Sequence, residues 1–360
     1  VMPLSTACST GWRASNDRKN APGRATAPAI AEPDMSPSEF DIIRHYFTRD
    51  RAGRADVVLG IGDDAALLQV PDGAELAVSI DTLVAGVHFS DNAGAAAIGH
   101  KALAVNLSDL AAMGAEPAWA TLALTLPMHD PDWLESFAGA FFALADRYGV
   151  QLVGGDTTQG PLTVTVQVHG FVPHGQALRR RGAAAGDRIY VTGSLGDAGL
   201  ALQTEPPVST VLRQRLDFPE PRIDAGLQLR NRASAAIDVS DGLLADLGHL
   251  LAADGLGATV RVDALPRSAD FQAAYGQSGH ARQAGWYEIP LTAGDDYELC
   301  FTVPERYCAA VESSLGALPC GCTCIGAIET APGVRCVQDS GEHYRPAASG
   351  YRHFADNGRG

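Results

Sequence analysis

Short apolar runs that end abruptly in aspartate, glycine and hydroxyl residues are the feature that most limits how this chain can fold. Ala235-Ala-Ile-Asp-Val-Ser-Asp-Gly242 shows the pattern most clearly, and it recurs at Gly154-Gly-Asp-Thr-Thr158, 57–64 and 76–82. Each run is long enough for a buried strand. One such ending is ordinary turn chemistry, because Asp and Gly are favoured in turns. Four endings predict strands that bring acceptor oxygens to a ligand site.

The electrostatics of these endings indicates what the ligand is. Asp109 and Asp295-Asp296 add further carboxylates in apolar or glycine-rich surroundings. Clustered carboxylates repel one another strongly where water is excluded, so the cluster needs cations among its members. Oxygen ligands without a Cys/His set favour Mg²⁺, which typically bridges carboxylates to substrate phosphates. The pattern therefore predicts several Mg²⁺ ions, a polyphosphate and phosphoryl transfer with ATP.

Length and charge limit the number of domains and the kinds of partner that the chain can have. The 360 residues are 46% apolar and carry a formal charge of −15, with 42 acidic and 27 basic residues. These values predict two domains and argue against a nucleic-acid or membrane surface. No run of 18 apolar residues indicates a membrane span. Residues 1–35 lack a hydrophobic signal-peptide core, and we expect a disordered extension there.

Cysteine usage predicts a reducing compartment. Seven cysteines, an odd number in a chain of this length, fit the cytoplasm better than a disulfide framework. The group Cys320-Gly-Cys-Thr-Cys324 would place three sulfurs on one face of a strand. A zinc site normally needs a second ligand pair, and none follows nearby. We expect these thiols to be structural.

The order of the elements predicts an α+β fold with mixed sheets in two domains, 36–172 and 173–360. Neither part alternates strands and helices without interruption, so a doubly wound fold is not expected. Two predictions bear on the site: 81–89 is read as a loop, and the strand at 151–153 stops before Gly154. The predicted helices are 37–48, 93–113, 132–148, 196–202, 209–216, 222–231 and 304–315. The other predicted strands are 56–60, 65–70, 75–81, 118–126, 161–172, 186–193, 257–262, 298–303, 323–328 and 334–337, and 237–244 is a predicted strand-to-helix junction.

Several familiar catalytic motifs are missing from the sequence. There is no Walker A string, no protein-kinase motif set, no G-x-S-x-G elbow and no His-Glu-x-x-His zinc helix. The basic run Arg179-Arg-Arg181 could clamp a phosphate or form a solvated turn. His88, in the predicted loop, could contact a phosphate or a metal, or remain a solvated side chain. The interpretation that remains is a metal-rich nucleotide site of a non-standard kind.

Six strings, in this order, resemble the thiamine-monophosphate kinase family. The resemblance runs from about residue 38 to 355, and the third string is its most specific part. The strings are Gly60-Ile-Gly-Asp-Asp-Ala-Ala66, Asp81-Thr-Leu-Val-Ala-Gly-Val-His-Phe89, Lys101-Ala-Leu-Ala-Val-Asn-Leu-Ser-Asp-Leu-Ala-Ala-Met-Gly-Ala115, Gly154-Gly-Asp-Thr-Thr158, Ile237-Asp-Val-Ser-Asp-Gly-Leu243 and Gly294-Asp-Asp-Tyr-Glu-Leu299.

This resemblance implies an activity and an architecture. The activity is ATP-dependent phosphorylation of thiamine monophosphate, which gives thiamine diphosphate and ADP. The architecture is similar to aminoimidazole ribonucleotide synthetase: an N-terminal mixed-sheet domain that makes a homodimer contact, and a C-terminal α/β domain that closes over ATP. The wider superfamily also includes selenophosphate synthetase.

Matched position by position, the resemblance also implies residue roles. The Mg²⁺ ligands would be Asp64, Ser79, Ile80, Asp81, Asp109, Asp156, Asp238 and Asp241. The ATP contacts would be Gly155, Asp156, Arg180 and Ser240. The contacts to thiamine phosphate would be His88, Asp295 and Tyr351. Direct transfer without a covalent intermediate is the preferred mechanism, and His88 as a transient phosphoryl carrier is the alternative.

Two positions depart from the family pattern. The family usually carries Thr where Ile80 stands, so a ligand there must be the main-chain carbonyl. It often carries Glu where Asp295 stands, so the acid here reaches one methylene less far. Two other functions stay open: a sibling enzyme with a purine precursor or selenide as acceptor, and a non-catalytic nucleotide-binding dimer. Cys8 lies in the predicted extension, which disfavours selenide chemistry.

Overall fold

The helices of the computed structural model begin and end close to the positions that hydrophobic periodicity predicts. The structure describes residues 38–49, 53–204, 209–276 and 285–351, so the predicted extension at 1–35 lies outside the described residues. Within these ranges the helices are α1 (Glu39–Ile42), α2 (Ala95–Ala112), α3 (Pro131–Arg147), α4 (Asp197–Gln203), α5 (Thr210–Asp217), α6 (Ile223–Leu229), α7 (Leu243–Ala252), α8 (Ala269–Gly276), α9 (Gly285–Thr292) and α10 (Glu305–Gly316).

The first helix and two later helices differ from expectation. The helix predicted at 37–48 begins at Glu39, because Ser38 and Asp41 form a reciprocal capping box. It continues past Ile42 as a π-helical turn, Ile43–Phe47. The helices α8 and α9 were not predicted. Their apolar residues follow the helical period only weakly, and α9 contains Pro290.

Two strands are longer than predicted, because they continue to pair with neighbouring strands. The strands are β1 (Val57–Leu59), β2 (Leu67–Leu68), β3 (Ala74–Val84), β4 (Glu116–Leu126), β5 (Gln151–Gln159), β6 (Thr163–Pro173), β7 (Arg188–Thr192), β8 (Ala235–Asp238), β9 (Gly257–Arg261), β10 (Leu299–Val303), β11 (Cys322–Glu329), β12 (Gly333–Val337) and β13 (His343–Tyr344). The predicted loop 81–89 therefore begins as strand, and Asp156 lies within β5 rather than after it. A ladder with β4, in which Gly155 opposes Leu122, carries β5 through the glycines.

Two mixed sheets confirm the α+β class. Within the described ranges, one sheet has the strand order β3-β6-β4-β5, and its β4–β5 pair is parallel. A second has the order β13-β12-β9-β11-β7-β10-β8, with a parallel β12–β9 pair, and β1 and β2 form a separate antiparallel pair. The first sheet ends at Pro173 and the second begins at Arg188. The described residues nevertheless belong to one compact unit, so the domain boundary at 172/173 stays a prediction.

Helix α2 lies between the two sheets. It packs on β3 and β6 of the first sheet, on β8 and β10 of the second, and on helices α3 and α6. Such a helix must be apolar on all sides, and most residues from Ala97 to Ala112 are buried. No helix in the described ranges is long and apolar enough to cross a membrane. The position of α2 sets the site, because its polar residues reach both sheets.

One face of the first sheet is open, whereas the other is core. Leu83, Val164, Val166 and Val168 are buried on the core side. On strand β3 the alternate residues Leu76, Val78 and Ile80 are 42%, 53% and 59% exposed. A row of exposed β-branched and leucine side chains on an edge strand is typical of an interaction surface.

The cysteine group differs from its predicted geometry. Cys322 and Cys324 lie in β11, but Cys320 precedes the strand, so the three sulfurs do not share one strand face. The preceding residue pair, Pro319-Cys320, belongs to the turn after α10, which delays the start of the strand. All three thiols are half-buried and free.

Candidate active site

A cleft of about 410 Å³ gathers the larger part of the predicted site residues. Strand β3 and helix α2 form one wall, and the residues after β8 and before β10 form the other. Tyr351 lies at its edge. The predicted residues that line this cleft are Asp81, His88, Asp109, Asp238, Ser240, Asp241, Asp295 and Tyr351.

Two consecutive residues of α2 connect the two sheets. The Ser79 hydroxyl, on β3, donates to the Asp109 carboxylate. The Ser108 hydroxyl donates to Asp238 Oδ2, on β8, at 2.8 Å. Successive helix residues point about 100° apart, so α2 can bond to both sheets within one turn. Sequence reasoning assigned no role to Ser108, although it adjoins Asp109 in the family string.

The carboxylates in the cleft are close enough to perturb one another. Burial, and then the charge of Asp109, raises the pKa of Asp81 to about 6. The same two causes raise the pKa of Asp238 to about 8, although the Ser108 hydroxyl acts against them. Burial also raises the pKa of Asp109, opposed by the Ser79 hydroxyl and the Arg180 guanidinium. Bound cations would restore the ionised forms.

The donor chemistry of this cluster fits Mg²⁺, but its geometry is open. All the acids offer carboxylate oxygens, which hard cations prefer. Across the described ranges, no three His, Cys, Asp or Glu side chains are gathered closely enough to hold a metal ion. The cluster is therefore held together through hydrogen bonds to serines and not through a closed ligand set. Phosphate oxygens and water supply the remaining ligands in typical Mg²⁺ sites.

A buried carboxylate behind the cleft orders the Ser240-Asp241-Gly242 loop. Asp246 Oδ2, on α7, accepts the backbone N–H groups of all three loop residues at 3.0–3.1 Å. Burial, and then the charge of Asp241, raises the pKa of Asp246 to about 7. Sequence reasoning missed Asp246. Its spacing from Asp241, just inside the following helix, was the available signal.

Asp295 is already paired within the protein. The Lys101 ammonium, on α2, lies 2.9 Å from Asp295 Oδ2, and the Tyr297 hydroxyl donates to Oδ1 at 3.0 Å. Lys101 is only 4% exposed. Asp295 and Tyr297 both have positive φ, which L-residues rarely adopt. Lys101 was not predicted as a site residue, although it opens the most specific family string.

Three of the remaining predicted residues lie away from this cleft. Asp64, Gly155 and Asp156 line a second cavity of about 720 Å³, next to α1. Asp156 pairs through β4 and β6 with Thr82, so three strand spacings, roughly 14 Å, separate Asp156 from β3. The Ile80 side chain is on the open sheet face. Arg180 is exposed and is near enough to act on Asp109.

Comparisons with known proteins agree with this architecture. Residues 62–172 match the family model described as "AIR synthase related protein, N-terminal domain". Thiamine-monophosphate kinase from Salmonella typhimurium is 52% identical over 330 residues, which are 89% of this chain and 99% of that protein.

Solved structures extend the comparison to three dimensions. Thiamine-monophosphate kinase from Stenotrophomonas maltophilia K279a is 47% identical with a TM-score of 0.74, covering 81% of this chain and 93% of that one. AaThiL complexed with AMPPCP and TMP is 30% identical with a TM-score of 0.69, covering 79% and 89%. Sequence and fold agree over nearly the whole of these relatives, and the chain belongs to the thiamine-monophosphate kinase family.

Proposed function

We propose that this protein transfers the γ-phosphoryl group of ATP to thiamine monophosphate, producing thiamine diphosphate and ADP. The observation that carries the proposal is the cleft in which Asp81, Asp109, Asp238 and Asp241 meet beside His88. Four carboxylates in one cleft fit metal-assisted binding of a polyphosphate. A relative of the same fold is named as a complex with AMPPCP and TMP, which supports the same pair of substrates here.

The cleft divides into a nucleotide part and an acceptor part. Ser240 adjoins the acid cluster and Arg180 acts on Asp109, so both are suited to ATP phosphates. Gly155 and Asp156 would hold ATP from the second cavity. His88, Asp295 and Tyr351 would face thiamine monophosphate. Because Asp295 is paired with Lys101, its negative charge is partly balanced before the cationic thiazolium arrives.

Mg²⁺ fits the acid groups of both cavities. Several ions would be held by Asp81, Asp109, Asp238, Asp241, Ser79 and the Ile80 carbonyl, and by Asp64 and Asp156. When bound, these ions would neutralise phosphate charge and align the two substrates. The raised pKa values of Asp81 and Asp238 support the need for a cation, since burial and mutual repulsion otherwise favour protonation.

Direct transfer needs no covalent intermediate on the protein. A phosphate oxygen of thiamine monophosphate, largely ionised near pH 7, would attack the γ-phosphorus while the bond to the β,γ-bridging oxygen breaks and ADP leaves. His88 is poorly suited to carry the phosphoryl group. The Val84 N–H donates to its Nδ1 at 3.0 Å, so the neutral ring carries its proton on Nε2. Neither nitrogen then offers a lone pair to phosphorus.

The open face of the first sheet supports a homodimer. Leu76, Val78 and Ile80 form an exposed apolar row, which a second copy of the same face would cover. The cysteines in the described ranges are all free, which supports a reducing compartment such as the cytoplasm.

Release of ADP in the presence of different acceptors tests the function. The full chain with ATP and Mg²⁺ should release ADP with thiamine monophosphate, and far more slowly with thiamine, a purine-precursor ribonucleotide or selenide. Excess chelator should abolish the release. A preference for the purine precursor or selenide would assign a sibling activity. ATP binding without ADP release from any acceptor would favour the non-catalytic dimer.

A further inference from the structure

The chain after β13 returns to the cleft as a strap, residues 344–351. Tyr344 ends the outermost strand of the second sheet, and Tyr351 lines the cleft with 48% of its surface exposed. A segment outside the sheets keeps a defined path only where specific contacts hold it. Two anchors hold this one, and they lie at its opposite ends.

The first anchor is a single carboxylate, that of Glu288 on α9. Its Oε2 accepts the Tyr344 hydroxyl at 2.7 Å, and its Oε1 accepts the backbone N–H groups of Ala347 and Ala348 at 2.9 and 3.1 Å. Hydrogen bonds to an ionised acceptor are stronger than neutral ones. Because two of the donors are consecutive backbone groups, Glu288 fixes the path of the strap and not only one side chain.

The second anchor joins the strap to the loop that bears Asp241. The Tyr351 N–H donates to the Asp241 carbonyl at 2.9 Å. Gly350 has φ +127°, and a Cβ there would lie 2.6 Å from the Ala245 Cβ. Only glycine lets the strap approach α7 this closely. This end of the strap therefore depends on the register that the first anchor sets.

We propose that Glu288 is a positioning residue for thiamine monophosphate, acting through the strap to hold Tyr351 at the acceptor side of the cleft. The inference rests on the proposed function, in which the Tyr351 ring contacts the cationic acceptor. Glu288 is not among the residues that line the cleft. Its loss should therefore affect acceptor binding and leave ATP binding unchanged.

Steady-state kinetics of the full chain, with unfolding of each variant, tests this role. Tyr351→Ala should raise the KM for thiamine monophosphate about 3- to 30-fold, the range expected for a lost cation–π contact. Glu288→Ala should raise it by a similar factor, with the KM for ATP within about twofold of wild type. Glu288→Gln keeps an acceptor oxygen for the backbone groups and should recover most of the loss. Glu342→Ala, an exposed acid beside the strap, is the matched control and should change neither KM.

The double variant separates positioning from general stability. If Glu288 acts through Tyr351, Glu288→Ala combined with Tyr351→Ala should be no worse than Tyr351→Ala alone. Additive losses, equal changes in both KM values, or no effect of Glu288→Ala would overturn the proposal. If Glu288→Ala does not fold, Tyr344→Phe removes one of the three hydrogen bonds to Glu288. It should raise the KM for thiamine monophosphate by a smaller factor and leave the KM for ATP unchanged, and no change in either KM would overturn the proposal. Unchanged ADP release by Tyr351→Ala with thiamine monophosphate would refute only the role of the strap. Absence of ADP release by the wild type would refute the proposed function.

Discussion

Asp246 shows how a residue outside the cleft can decide where the cleft residues lie. One buried carboxylate oxygen accepts three consecutive backbone N–H groups, so Ser240 and Asp241 are held in a fixed orientation. A buried donor left without an acceptor costs about 1–3 kcal/mol. Loss of this oxygen therefore affects stability and activity together.

We predict that Asp246→Ala lowers the free energy of unfolding by about 2–5 kcal/mol and lowers kcat at least about tenfold, because the loop loses its acceptor. Asp246→Asn keeps an amide oxygen for the three donors and should retain most of both quantities. Denaturant unfolding and saturating kinetics measure the two effects. If the Asn variant is as impaired as the Ala variant, the charge of Asp246 matters and not its acceptor geometry.

The three arginines of the basic run 179–181 interact with different partners. The Arg179 carbonyl accepts the Ala236 N–H, and Arg181 lies 3.6 Å from Asp254. Arg180 alone acts on an acid of the cleft, Asp109. We therefore expect Arg180 to be the arginine of this run that contacts ATP.

Arg180→Ala should raise the KM for ATP about tenfold or more, since a charged contact to phosphate contributes about 1.5–3 kcal/mol. Arg179→Ala should leave the KM for ATP nearly unchanged, because Arg179 contacts Ala236 through its backbone carbonyl. Initial rates at varied ATP and saturating acceptor provide the measurement. The reverse ranking of the two variants would show that the register of the match is wrong.

At the scale of elements, close packing of α2 against α3 sets the position of the acid cluster. A Cβ added at Gly99 would collide with the backbone carbonyl of Phe137. Backbone cannot move aside as the end of a flexible side chain can. Gly139, on α3 itself, has open space where its Cβ would stand.

Gly99→Ala should destabilise the protein by about 1–3 kcal/mol, because overpacking forces the two helices apart. Gly139→Ala should stabilise it by up to about 1 kcal/mol, through the higher helix propensity of Ala. Thermal or denaturant unfolding of both variants gives the comparison. Equal stabilities would mean that the interface between α2 and α3 adjusts without cost.

At the scale of the whole molecule, the predicted acids fall into two groups. One group, with Asp81, lines the cleft, and the other, with Asp156, lines the second cavity. Asp156 and Asp81 lie at opposite edges of one sheet, too far apart to share an ion within a protomer. In a dimer through the open sheet face, a two-fold axis parallel to the strands would place β5 of one protomer opposite β3 of the other. Asp156 of one protomer would then lie beside β3 of the other, the edge strand that bears Asp81.

We expect Asp156→Asn and Asp241→Asn to be nearly inactive alone, each losing about two orders of magnitude. Co-expressed, they should recover about a quarter of wild-type activity, since half of the dimers are mixed and each mixed dimer has one intact site. Asp238→Asn with Asp241→Asn is the control, because both residues line the same cleft and no intact site can form. No recovery in the first pair would place each complete site within one protomer.

The sequence by itself determined most of the elements and named the acids of the cleft. Apolar runs followed by acids marked β3 and β8, and the helical period of residues 132–148 marked α3, because these signals are local. The family strings supplied most of the residues that line the cleft. Predicted ends failed where pairing with a distant strand decided them, as in β5 beyond Val153.

Only the tertiary structure decided which residues act on one another. Lys101 and Asp295 are 194 positions apart, and their ion pair exists because α2 passes between two sheets. The same is true of Ser108 with Asp238, and of Glu288 with the strap. Polar contacts of this kind leave no periodic trace, since each depends on the packing of elements far apart in sequence. The sequence therefore named the acids of the site, and the packing around α2 decided which side chains hold them.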